Sequence, residues 1–207
     1  MLARIADPSI TLAMTGASGA QYGLRLLECL VQADREIFLL FTKAAQIVVG
    51  SETDLKLPGR SAEQSRFLNK YFRARDGQIR VCGEEEWTSP VASGSGAPRT
   101  MVVCPCTMAT LANIASGASG NLLERAADVV IKERGNLVLV PRETPFSTIH
   151  LENMLKLARV GVLILPANPG FYNKPRKVDE LVDFIVARVL DQIGINTGLL
   201  KRWGRED

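Results

Sequence analysis

Along the chain, short runs of aliphatic and β-branched residues alternate with longer stretches in which apolar residues recur every three to four positions. The short runs predict strands at Ile10 to Met14, Glu36 to Thr42, Gln78 to Cys82, Met101 to Cys104, Leu137 to Val140 and Val162 to Leu165. The longer stretches predict helices over Gln21 to Ala33, Ala62 to Phe72, Asn121 to Arg134, Ile149 to Arg159 and Val178 to Ile193. In the last helix, Leu181, Phe184, Ile185, Arg188, Val189 and Gln192 fall on one broad face. Three strand candidates, TMVVCP, LVLVP and VLILP, are unbroken apolar runs stopped by proline, the pattern of strands buried on both sides. Strands joined by crossover helices predict an α/β fold, an open and mostly parallel sheet with helices on both faces. GSGAP at Gly94 to Pro98 and PGR at Pro58 to Arg60 read as loops, and no repeat or low-complexity tail divides the chain.

Composition adds limits to that picture. At 207 residues, 46% hydrophobic and 23% charged, the sequence fits one compact domain, 1–207, with a tail from about residue 195. Lys plus Arg number 25 against 22 Asp plus Glu, a net charge of +3, so no general attraction to nucleic acid or anionic membrane is expected and any anion site must be local. The opening MLARIADPSI has an acid and a proline where a signal peptide would be apolar. The uncharged span from Thr100 to Leu123 is interrupted by Pro105, Asn113, Gly117, Gly120 and Asn121, which a bilayer would penalise. Cys29, Cys82, Cys104 and Cys106 form neither CxxC pairs nor a disulfide framework, which points to a reducing cytoplasm. A bridge between Cys104 and Cys106, one residue apart at a strand end, would be strained, and both read as buried small hydrophobes.

The first strand runs into TGASGAQYG, which places Gly16 and Gly19 where a strand turns into a helix. Backbone NH groups at such a turn can face an anion, and Gly16, Ala17 and Ser18 would let a phosphate come close. The spacing is not GxGxxG, and the next strand ends at Thr42 and not at an acid able to hold a dinucleotide's ribose. A mononucleotide is therefore favoured, with the Ser18 and Thr42 hydroxyls near its edge. A βα turn without a ligand fits the same residues. After TMVVCP, the segment CTMATLANIASG lets Thr107 or Thr110 cap another helix, so two strand-to-helix turns would flank one crevice.

Taken together, MTGASGAQYG, CPCTMATLA, NLLERAADVVIKE, LVLVPRETPFSTIHLENMLKL, ILPANPGFY and VDFIVARVLDQIGI closely resemble the bacterial UbiX flavin prenyltransferase family, from about Ile10 to Trp203. The resemblance implies a Rossmann-like, FMN-binding subunit of a homododecamer. The implied reaction joins a dimethylallyl group from dimethylallyl monophosphate to N5 and C6 of reduced FMN, yielding the prenylated flavin that UbiD-type decarboxylases use in ubiquinone biosynthesis. It carries FMN contacts onto Gly16, Ala17, Ser18, Thr42, the turn Thr107, Met108, Ala109 and Thr110, and Arg142. Prenyl phosphate contacts fall on Tyr172 and Arg188, with Lys132, Arg125, Glu143 and Ser18 as catalytic candidates. Glu52 and Ser93 match positions that line the family's site, in their own subunit or a neighbour's.

That chemistry needs cations for a phosphate leaving group and aromatic faces for an allylic cation. Arg125 and Lys132, seven apart on one helix, could clasp a phosphate; Asp128 between them could equally build a surface ion-pair ladder. Arg142 and Glu143 follow LVLVP, where ligands of such sheets sit, so Arg142 could hold phosphate or flavin and Glu143 tune protonation; a loop salt bridge is the alternative. Trp87, Tyr172 and Trp203 are candidates to face the allyl group, since a π face stabilises a cation by roughly 0.5 to 2 kcal/mol. Trp203 could instead anchor the tail, and the acidic GEEEW that ends at Trp87 reads most simply as a solvated turn. The lone His150 falls near a helix start, which disfavours an imidazolium and suits a neutral structural role. Thr42 and Thr107 stand where serine is common in the family, preserving a hydroxyl. No DDxxD motif is present to hold magnesium and a diphosphate, so metal-independent transfer is expected. Two other activities suit the same residues: direct decarboxylation of a polyprenyl hydroxybenzoate, or FMN carriage without chemistry. A homo-oligomer is expected from the resemblance and the positive mean hydropathy of +0.07.

Overall fold

In the computed structural model, which describes residues 9–200, the apolar runs become β1 (Ser9–Met14), β2 (Glu36–Phe41), β3 (Ile79–Cys82), β4 (Thr100–Cys106), β5 (Asn136–Pro141) and β6 (Leu163–Ile164). They form one sheet in the order β3-β2-β1-β4-β5-β6, with every neighbouring pair parallel. The helices are α1 (Ala20–Gln32), α2 (Lys43–Glu52), α3 (Ser61–Tyr71), α4 (Met108–Ser116), α5 (Leu122–Lys132), α6 (Thr148–Arg159) and α7 (Val178–Gln192), with a 3-10 turn at Pro90–Ala92. The strand order reverses between β1 and β4, the position at which open α/β sheets bind ligands beyond their carboxyl ends.

Register explains why both faces of the sheet are apolar. Leu12 stands beside Leu39 and Val102, and Val102 beside Val138, so these four side chains point to the layer that holds α1 and α7. One residue on, Ala13, Leu40, Val103 and Leu139 point to the layer of α4, α5 and α6. All eight are buried, and each large aliphatic side chain so removed from water contributes about 1.5–3 kcal/mol. On α7, Val182, Ile185, Val186, Val189 and Leu190 face the core. Across from it on α1, Arg25 bonds Asp183 of α7 at 2.7 Å and Glu28 at 2.6 Å, tying the two helices at their rim.

Several sequence expectations change. β4 does not stop at Cys104: it passes through Pro105, where the register with β5 shifts, to pair Cys106 with Pro141. A residue without an NH is tolerated at such an irregularity because it owes the ladder no bond. VLILP shrinks to a two-residue edge strand whose residues are only half-buried, because nothing pairs beyond β6. The core face of α7 also turns away from the expected one: Arg188 and Gln192 are exposed and Leu181 and Phe184 half-buried, while Val182, Val186 and Leu190 point inward. Finally, KAAQIVVGSE, which carried no helix expectation, forms α2 with Thr42 as its cap.

Candidate active site

The carboxyl end of β1 opens into Thr15–Gly19, and three other segments converge on this short loop. Gly16 is fixed by packing: a Cβ there would stand 2.5 Å from the Cβ of Ala44 on α2. Gly19 has φ 105°, a left-handed conformation that other residues adopt at a cost, and it starts α1. Thr15 is buried; its hydroxyl donates to the Pro105 carbonyl at 2.8 Å and accepts from the Thr107 NH at 2.8 Å. This threonine, which carried no sequence expectation, welds the β1–α1 turn to the β4–α4 turn across the switch point. From β5, Arg142 donates through Nε to the Ser18 carbonyl at 3.1 Å.

Glu52, the last residue of α2, supplies the fifth contact. Its carboxylate accepts from the Gly19 NH at 2.8 Å and the Ala20 NH at 2.9 Å, so the α1 amides expected to face a ligand phosphate already hold an anion of the chain's own. Partial burial pushes the Glu52 carboxyl up, but the Ser18 hydroxyl, the Ala20 and Gly19 amides and the charge of Arg142 outweigh it. The net effect holds Glu52 below the usual carboxylate range. The bond could not be read from sequence because donor and acceptor are 33 residues apart.

The two threonines become helix caps. The Thr42 hydroxyl accepts from the Ala45 NH at 3.1 Å, and Thr107 accepts from the Thr110 NH at 3.2 Å while donating to the Thr110 hydroxyl. Each helix start thus keeps further first-turn NH groups directed at the crevice. Ala17 and Met108 are buried beside them, Ser18 and Ala109 are exposed. Arg142 and Glu143 diverge, the former to Ser18 and the latter to the Thr144 NH at 3.0 Å. His150 closes a capping box with Ser147, its Nδ1 accepting from the Ser147 NH at 3.2 Å, a structural job for the ring. Cys106 and Cys104 line β4 fully buried; burial drives both thiols up, Cys106 to about 12, and none of the four cysteines is in a disulfide.

The remaining candidates lie elsewhere on the protomer. Lys132 ends α5 at the amino edge of the sheet, where the Arg99 guanidinium binds the Glu133 and Arg134 carbonyls and the Asn136 NH that opens β5 bonds Arg99. The six residues of β5, roughly 20 Å at 3.3 Å each, separate that edge from Arg142. Lys132 pairs with Glu133 and Arg125 with Asp128 at 2.8 Å, so the ladder between Arg125 and Lys132 is broken at its second rung. Arg125 also donates to the Ala92 carbonyl at 3.1 Å, which places it beside the loop of Ser93; Trp87 earlier in that excursion is half-exposed. On the opposite face of the sheet, Tyr172 packs edge-on against Phe184 of α7 with ring centroids 5.6 Å apart, and Arg188 lies one turn further along that helix, paired with Asp191. Trp203 lies outside the described residues. A buried Glu124, also unremarked in the sequence, accepts from Asn113 at 2.7 Å and the Gly120 NH at 2.8 Å and locks the α4–α5 corner. Among the described residues no three His, Cys, Asp or Glu side chains converge as metal ligands, and no helix is long and apolar enough to cross a membrane.

A doubly wound parallel sheet with two strand-to-helix turns and an arginine joined at its switch point defines an α/β flavoprotein, and residues 3–190 match the Flavoprotein family. The chain belongs to the UbiX flavin prenyltransferase family: it is 60% identical, over 95% of its length and 94% of the relative's, to the flavin prenyltransferase UbiX of Pseudomonas aeruginosa. It also matches the crystal structure of AnUbiX (PadA1) in complex with FMN and dimethylallyl pyrophosphate, with TM-score 0.85 and 40% identity over 96% of this chain and 98% of that one. A dodecameric FMN-dependent UbiX-like decarboxylase from Escherichia coli O157:H7 matches with TM-score 0.82 and 41% identity, covering 95% and 100% of the two chains.

Proposed function

We propose that this chain is a flavin prenyltransferase that transfers a dimethylallyl group from dimethylallyl monophosphate to reduced FMN. The observation that carries the proposal is the 60% identity to a flavin prenyltransferase over nearly the whole chain. The donors at the switch point fit a phosphorylated, planar ligand: two capped helix starts, the Arg142 cation and the apolar Ala17 and Met108. Reduced FMN, when bound, would supply the electron-rich flavin edge that accepts the dimethylallyl group, with phosphate leaving on the electron pair of the broken C–O bond and the flavin's displaced protons passing to Glu143 or solvent. In this reading Gly16 to Ser18, Thr42, Thr107 to Thr110 and Arg142 hold the flavin, Glu143 moves protons at its edge, and Glu52 and Ser18 hold each other beside it.

Lys132, at the amino edge of the sheet, lies about a strand's length from the crevice at the carboxyl edge of its own protomer, whereas Tyr172 follows Ala167, whose NH bonds the Pro141 carbonyl beside Arg142. A role for Lys132 as a phosphate contact would therefore draw on another copy, in keeping with a relative described as dodecameric. Preorganised cations from such neighbours would offset the charge that grows on the departing phosphate. We read residues 1–207 as one flavoprotein domain acting in the cytoplasm, with a UbiD-type decarboxylase as consumer of its product. The four thiols outside disulfides support the compartment.

Anaerobic incubation with reduced FMN and dimethylallyl monophosphate, in the presence of a chelator, should yield flavin heavier by one dimethylallyl unit. A parallel reaction with the diphosphate tests the leaving group. Unchanged flavin together with decarboxylation of a hydroxybenzoate would replace this reading by the direct decarboxylase, and unchanged flavin with neither reaction would leave an FMN carrier.

A further inference from the structure

In doubly wound folds the amino end of the first crossover helix is where a dinucleotide's pyrophosphate rests. Here α1 runs for 13 residues with no side-chain cap of its own, and the carboxylate on its first amides comes from Glu52. Glu52 is steadied from its backbone as well, since its carbonyl accepts from the Gln21 side chain at 3.1 Å. Arg142 is anchored to the Ser18 carbonyl and its charge acts on Glu52, so the group on the α1 amides is a carboxylate with a cation near it.

We propose that Glu52 is a specificity-determining residue, a resident anion that denies the α1 amides to a dinucleotide pyrophosphate and restricts the crevice to a mononucleotide. The inference rests on the flavin reading above. A pyrophosphate entering this position would have to displace a carboxylate that accepts from two amides or settle against it, and like charges brought together in an interface repel strongly. With the carboxylate gone, the Gly19 and Ala20 amides, the Ser18 hydroxyl and the Arg142 guanidinium form a donor set that suits a phosphate. The missing dinucleotide fingerprint and the carboxylate seated on the helix would then exclude the same ligand twice.

The test is to titrate FMN and FAD into wild type, Glu52→Ala and Glu52→Gln and compare the ratio of the two affinities, with inorganic pyrophosphate as a fragment probe in thermal melts of the flavin-free proteins. Both variants should raise FAD affinity relative to FMN at least about tenfold, the scale of one relieved like-charge contact. Pyrophosphate should stabilise Glu52→Ala and not wild type. A ratio unchanged in both folded variants would overturn the inference, and a rise in Glu52→Ala alone would overturn it too by assigning the exclusion to bulk and not charge. Wild-type protein that binds no FMN would instead sink the flavin reading, so the two failures are distinguishable.

Discussion

Single residues set the charge and the shape of the crevice. Glu52 is held below the ordinary carboxylate pKa of about 4.3, so the folded state binds fewer protons than the unfolded one as pH falls below that value. Its stabilisation is complete above the unfolded pKa and is lost as pH falls through the folded one. Urea titrations of wild type and Glu52→Gln at neutral pH and below pH 4 should therefore differ most at neutral pH and converge in acid. Gly16 makes a different kind of demand. Because its Cβ would meet Ala44 at 2.5 Å, Gly16→Val should destabilise the protein by about 1–3 kcal/mol through overpacking. Lys132 touches none of this, so Lys132→Ala should leave FMN binding nearly intact while slowing transfer at least about a hundredfold, as expected for loss of one preorganised charge partner. Normal transfer in that variant would remove Lys132 from the site.

Elements were legible to the extent that their signals are local. The runs ITLAM, EIFLLF and LVLVP lie almost unaltered in β1, β2 and β5, because a strand buried on both faces announces itself by an unbroken apolar sequence. Helix α2 escaped because Ile47, Val48 and Val49 are β-branched and Ile47 ends up exposed, so no helical face stands out. The inward face of α7 departs from the expected one because Arg188 and Gln192 share a helical stripe with apolar residues one position off the true seam. Of the site, the two turns and Arg142 were visible as motifs, whereas the bonds of Thr15 to Pro105 and of Glu52 to Gly19 are long-range and leave no local trace. Thr15 offers a test at this scale. Thr15→Val strips the Thr107 NH of its buried acceptor, which should cost about 1–3 kcal/mol in denaturant unfolding, while Thr15→Ser should recover most of it.

At the scale of the whole molecule, Lys132, proposed to contact the prenyl phosphate, and the crevice proposed for the flavin sit at different places on one copy. If separate copies complete each site, Lys132→Ala and Arg188→Ala proteins, each inactive alone, should regain part of the activity when their subunits are mixed and reassembled. No recovery in mixed assemblies confirmed by mass would place all groups in one chain's site. Light scattering at micromolar concentration should likewise report an oligomer, and a fully active monomer would contradict the arrangement.

The position of β1 in the middle of the sheet also bears on how the chain is made. Its partner β2 follows within a few dozen residues, but its other edge waits for β4, and the Thr15 bond to Pro105 spans 90 residues. A growing chain that has just completed β3 would hold an unpaired central strand edge, with Ala13, Leu40 and Cys82 still lacking the α4 and α5 layer that covers them. At about 5–20 residues per second this sticky stage lasts for seconds on the ribosome. The half-made protein is thus a natural client for chaperones, and a fragment ending before β4 should aggregate where the full chain does not.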